Sequence, residues 1–197
     1  NIIALILLTG LCFGKYSLES FEGIGLNVEV PPPMWMEADG HGDGAEINET
    51  KHSGFKLYEF IPSSESWDKF TMTYGITFSD ISGFQGSLDE LVINYIESLR
   101  DVCQYPATVI VPKITKNTAI IVSGCGEVYS GVRPVLDNKG DIIIVYIERK
   151  GDRLITVYSE YVVSPFTSVF INQWPISQSE IAEAIRRLQA IKVIESS

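Results

Sequence analysis

The sequence predicts an α+β fold: a mainly antiparallel sheet of about five to seven strands with two helices packed on it, near 88–103 and 178–194. Three observations predict it. Strand-like segments follow one another with short turns between them, as antiparallel neighbours do. Two other segments repeat their apolar residues at spacings of three and four, and each opens on a helix-start signal. One strand, Ile142 to Ile147, is apolar without alternation, as a central strand covered on both faces would be.

The elements follow in order. Phe55–Pro62 reads as a strand rich in good strand formers, and Pro62 stops it. Residues 63–67 form a turn that presents Trp67. Phe70–Ser79 is a second strand, with Met72, Tyr74, Ile76 and Phe78 on one face and mostly Thr or Gly on the other. Ser87 and Glu90 then make a capping box, and an apolar stripe runs from Leu88 to Val102. Ala107–Ile114 and Thr118–Ser123 are strands joined at Lys116 and Asn117. Asp141–Arg149 and Arg153–Val162 form the clearest hairpin, across Lys150, Gly151 and Asp152. Phe166–Ile171 reads as a further short strand. Ser177 and Glu180 make a second capping box, and Ile181, Ala184, Ile185, Leu188, Ile191 and Val193 continue its stripe.

The chain divides by composition into three parts. Residues 1–14 read as a secretion signal or membrane anchor. The run Ile2 to Gly14 carries no charge, fits the apolar core of a signal peptide, and is shorter than the roughly 20 residues a membrane helix needs. Residues 15–53 hold eight acids and two lysines with a triple proline and a glycine-rich run, and read as an acidic flexible linker with a short strand at Leu26–Val30. Residues 54–197 read as a single α+β domain. The expected location is the periplasm or the extracellular space, with membrane attachment only through an uncleaved amino-terminal segment.

Cys103, at a helix end, and Cys125, at a strand end, are the two cysteines left outside the apolar run, and an isolated pair in an oxidising compartment forms a disulfide. Free buried thiols are the alternative. No CxxC and no nearby histidine accompany either, which argues against metal.

The net charge of −10 disfavours nucleic acid and anionic membrane surfaces as partners. Both histidines, His41 and His52, fall in the acidic segment. Asp39, His41 and Asp43 echo half of a calcium loop, but Thr50 stands where the bidentate glutamate belongs. A cysteine nucleophile at Cys125 would lack a rigidly placed base. No hydrolase elbow and no dinucleotide fingerprint occurs. No catalytic residue, metal site or cofactor is therefore expected. Asn48, Glu49 and Thr50 form a glycosylation sequon that has meaning only in a eukaryotic source. Trp67, Tyr58, Phe60 and Trp174 are candidates for a binding surface, although aromatics at strand spacing more often belong to the core.

Residues 55–62, then Trp67 and a strand ending Thr77, Phe78 and Ser79, resemble the opening of small exported α+β domains of the PsbP/Mog1-like kind, and of uncharacterised exported bacterial proteins. The hairpin at 148–152 and the closing helix fit the same plan. The resemblance implies a non-enzymatic accessory or interaction module. The leading expectation is an exported domain that binds another protein or an envelope component. Its rivals are a hydrolase with an unrecognised site and a carrier of a lipid or small apolar ligand. A deep apolar cavity would favour the carrier, convergent polar groups the enzyme, and a flat exposed apolar patch the interaction module.

Overall fold

The computed structural model describes residues 18–38, 44–105, 107–131 and 133–195. Within them ten strands build two antiparallel sheets. In chain order they are β1 (Glu19–Gly23), β2 (Leu26–Val30), β3 (Ala45–His52), β4 (Phe55–Pro62), β5 (Met72–Asp80), β6 (Thr108–Ile114), β7 (Thr118–Cys125), β8 (Gly140–Lys150), β9 (Arg153–Val163) and β10 (Lys192–Glu195). The helices are α1 (Met34–Ala38), α2 (Leu88–Val102) and α3 (Gln178–Gln189). The large sheet runs β3-β4-β5-β9-β8-β7-β6 and the small one β1-β2-β10. The predicted fold class is the observed one, and the apolar strand β8 is internal, between β7 and β9.

Alternation along each strand splits the large sheet into two unlike faces. One face carries Ile76, Phe78, Ile144, Ile155 and Val157, all fully buried. Leu26 and Val28 of the small sheet and Ile181, Ile185 and Leu188 of α3 pack on it. The other face carries Ala119, Ile121, Val145 and Ile147 under Leu88 and Val92 of α2. Both long helices begin at the predicted capping boxes, with the Ser87 and Ser177 hydroxyls accepting from the amides of Glu90 and Glu180. Helix α2 lies over β7 and β8, and a cleft opens beside it where β9 and β4 continue the sheet.

Three expectations fail. The segment 15–53 is not simply a linker: the expected strand Leu26–Val30 is there as β2, and β1 and β3 lie in it as well. Leu26, Val28 and Val30 enter the core at no more than 1% exposure, and β3 pairs with β4 along its whole length. The prolines stay irregular but are held: the carbonyl of Pro31 accepts from the Tyr74 hydroxyl at 3.1 Å and that of Pro32 from Arg187 at 2.6 Å. Second, α3 ends at Gln189 rather than near 194. The β-branched residues Ile191, Val193 and Ile194 favour strand over helix, and β10 takes the free edge of β2. Third, 166–171 forms no strand. Phe166 packs on Trp174, and the Ser168 hydroxyl binds the Phe170 amide at 3.1 Å in a local turn.

The expected signal or anchor at 1–14 and the calcium-like residues 39–43 lie outside the described residues. Among those described, no helix is long and apolar enough to cross a membrane.

Candidate functional site

The cleft beside α2 encloses about 750 Å³. Its floor is set by strand register. Glu59 on β4, Gly75 on β5, Tyr158 on β9 and Val145 on β8 stand opposite one another and form one row across the sheet face. Glycine in that row has a reason. Tyr158 leans across Gly75, so a Cβ there would lie 2.1 Å from Tyr158 Cζ. The lean lets the Tyr158 hydroxyl donate to Glu59 Oε1 at 2.8 Å. Burial pushes the Tyr158 phenol well above its usual range, and the Glu59 charge adds to this.

The next row contains Thr73, Glu160, Ile143 and Ser123. Asp141 stands two residues along β8 from Ile143, diagonal to Glu160. Glu160 is 2% exposed and Asp141 7%, so two carboxyl groups sit in the sheet beneath the cleft. Arg133 reaches in from the loop before β8 and forks onto Glu160, Nη1 on Oε1 and Nη2 on Oε2. Its guanidinium also lies 5.8 Å from the centre of the Phe70 ring. Burial raises both carboxyls, Asp141 well above the ordinary aspartate range, while Arg133 opposes the rise at Glu160.

Three buried side-chain oxygens have no hydrogen-bond partner among the described residues: Thr73 Oγ1, Tyr95 Oη and Asp141 Oδ1. All three belong to this region. Thr73 stands beside Glu160 in register, and Tyr95 descends from α2 into the cleft wall with its hydroxyl near Ser123. Ser123 itself donates to the Ile143 carbonyl at 3.3 Å.

Cys103 and Cys125 are joined in a disulfide with Cα atoms 5.6 Å apart. It ties the end of α2 to the end of β7, opposite Asp141. Val128 and Leu136, from the loop that carries Arg133, pack around it. The bond therefore anchors the loop that supplies the cation.

Of the four aromatic candidates, only Trp67 borders the cleft, 6.4 Å from Phe70 in an edge-on contact. Tyr58 and Phe60 flank Glu59 on β4, so parity turns them to the opposite face, where both meet Phe21. Trp174 is 6% exposed and covers Gly124, with its indole donating to Ser168 O at 3.2 Å. These three belong to the core and do not form a surface with Trp67. The residues overlooked are Glu59, Tyr158, Asp141, Glu160 and Arg133. The signal for the acids was present: a carboxylate inside an otherwise apolar strand is costly unless it is paired. Among the described residues no cluster of His, Cys, Asp and Glu is placed to hold a metal, and His52 stacks on Phe55 at the far end of β3 and β4.

No family model and no curated protein matches the sequence. Solved structures do match in fold. One is described as a mutant of protein Mog1: TM-score 0.50, 11% identity, covering 92% of this chain and 97% of that one. Another is the Ran-binding protein Mog1p of Saccharomyces cerevisiae: TM-score 0.50, 11% identity, covering 91% of this chain and 97% of that one. At such identity the likeness shows the fold alone, and on the Mog1 side the resemblance seen in residues 55–79 is borne out as a fold.

Proposed function

We propose that this chain is a non-enzymatic binding domain that works outside the cytoplasm and holds a segment of a protein partner, free or in the cell envelope, in the cleft beside α2. The observation that carries the reading is the cleft itself: a preformed opening beside α2 with aromatic walls, whose floor runs from Val145 and Ile147 at the edge of the helix to Thr156, Tyr158 and Glu59 on the part of the sheet that α2 leaves uncovered. Aromatic residues around a desolvated centre are the usual anchors of protein interfaces. A solved structure of the same fold is described as a Ran-binding protein, so the fold is compatible with protein recognition. Placement outside the cytoplasm rests on the uncharged run 2–14 and the cysteine pair. A volume of about 750 Å³ also suits a small apolar ligand, which keeps the carrier as a second reading.

The test is a photo-crosslinking amino acid in place of Thr156 on the cleft floor. In native cells it should give a saturable protein adduct, competed by unmodified chain and lost with Trp67→Ala. An adduct that ignores both, or none at all, rejects the cleft as a protein site. Cys103 and Cys125 in the same non-reduced protein should resist alkylation; ready labelling would remove the oxidising location.

A further inference from the structure

The cleft is bordered by four charged side chains, and only two of them cancel. Arg133 is committed to Glu160 by its two-point contact. Glu59 and Asp68 are left, so the opening is acidic. Among the described residues no lysine, arginine or histidine makes an ion pair with Glu59; its contact is the Tyr158 hydroxyl. Glu59 is half-buried already. Any ligand that fills the cleft takes more water from this carboxylate. A neutral or anionic ligand would bury the charge without compensation, while a cation would supply the missing partner.

The surroundings suit a cation on an apolar stem. Half-buried Thr156 and the Tyr158 ring give the floor a surface for methylene groups, with Val145 and Ile147 behind them at the edge of α2. Trp67 and Tyr158 offer aromatic rings beside Glu59, and aromatic faces attract ammonium and guanidinium groups. At longer range the net charge of −10 draws basic partners and repels acidic ones.

We infer that the cleft takes a lysine or arginine side chain of the partner, its charge against Glu59 and its stem on Thr156 and the Tyr158 ring. This rests on the protein-binding reading above and names its anchor.

Three probes with one stem and different heads separate the possibilities: hexylammonium, hexanol and hexanoate, each titrated against the whole chain and followed by amide and indole NMR. Hexylammonium should shift Trp67 and the central residues of β8 and β9, bind about tenfold tighter than hexanol, and weaken as salt is added. Hexanoate should not bind. Glu59→Gln should reduce hexylammonium to the level of hexanol; Glu59→Asp should keep part of the preference, and Glu29→Gln, on the small sheet, should change nothing. Equal or tighter binding of hexanol or hexanoate overturns the inference, as does the absence of shifts with all three. The two readings also fail separately. A Thr156 adduct that survives Glu59→Gln unchanged removes the cationic anchor and leaves the protein site. Hexylammonium binding without any adduct removes the protein partner.

Discussion

The two faces of the large sheet use the same strands to opposite ends. On one, α3 and the small sheet close over the side chains, and Phe78, Ile144 and Ile155 are fully buried. On the other, α2 spans only part of the width, and what remains is a cleft that runs from half-buried Ile143 to Glu59. The closed face contains large apolar groups in contact. The cleft face contains an ion pair, a buried aspartate whose carboxyl burial pushes well above the ordinary range, and three unpartnered oxygens. A closed core and an open cleft thus fall on opposite sides of one sheet, and neighbouring residues on one strand fall under different rules.

Ile143 and Ile144 put that division to its sharpest test. Ile144→Ala should destabilise by about 2–5 kcal/mol, since a cavity in a closed core cannot collapse, and Ile143→Ala by roughly half as much, because water enters the cleft. Urea melts of the two variants measure the difference. Equal losses would mean that the cleft face is as tightly packed as the core.

Gly75→Ala comes next. The added Cβ meets the Tyr158 ring, so the ring must leave Glu59 or the strands must part. The expected cost is about 1–3 kcal/mol. Combining it with Tyr158→Ala should recover much of that cost, and a double-mutant cycle that shows no coupling would contradict the packing described.

A smaller effect is expected from pH. Burial lets the folded chain keep a proton on Asp141 that the unfolded chain gives up in the ordinary aspartate range. The contribution is whole at pH values below that range and is lost as pH rises through the raised folded value. Stability should therefore slope downward with rising pH in this window, and Asp141→Asn should flatten the slope. A slope that persists in the variant would place the proton elsewhere. Tyr158→Phe is the mildest change, about 1 kcal/mol for one hydrogen bond to a carboxylate that stays partly hydrated.

The fold was legible because its signals are local. Ser87 and Glu90 mark a helix start whatever surrounds them, and the apolar run of β8 announces a covered strand. In 19–30 the strand Leu26–Val30 was expected, but β1 and the burial of both strands were harder to see. Each has five residues, β1 is half polar, and their burial depends on residues more than 100 positions away. The cleft was least legible. Trp67 stood out as a large ring in a polar turn; Glu59, Asp141 and Glu160 each signal a carboxylate in an apolar strand, but only register shows that they share one face. Tyr58 and Phe60 point to the wrong side for a binding surface, and a single residue of parity decides that. Arg133 is a loop residue whose role is set by the disulfide-anchored loop around it.

The pairing of β2 with both β1 and β10 has a consequence for how the chain is made. Lys192 lies opposite Glu29, and Glu195 opposite Leu26. While the chain is being synthesised, β2 and its buried residues Leu26, Val28 and Val30 emerge early but cannot be sealed until residues 192–195 have followed. The cleft needs only residues 59 to 160, all of which come earlier. The cleft can therefore assemble before the core face is complete, leaving the apolar edge of β2 open until β10 arrives.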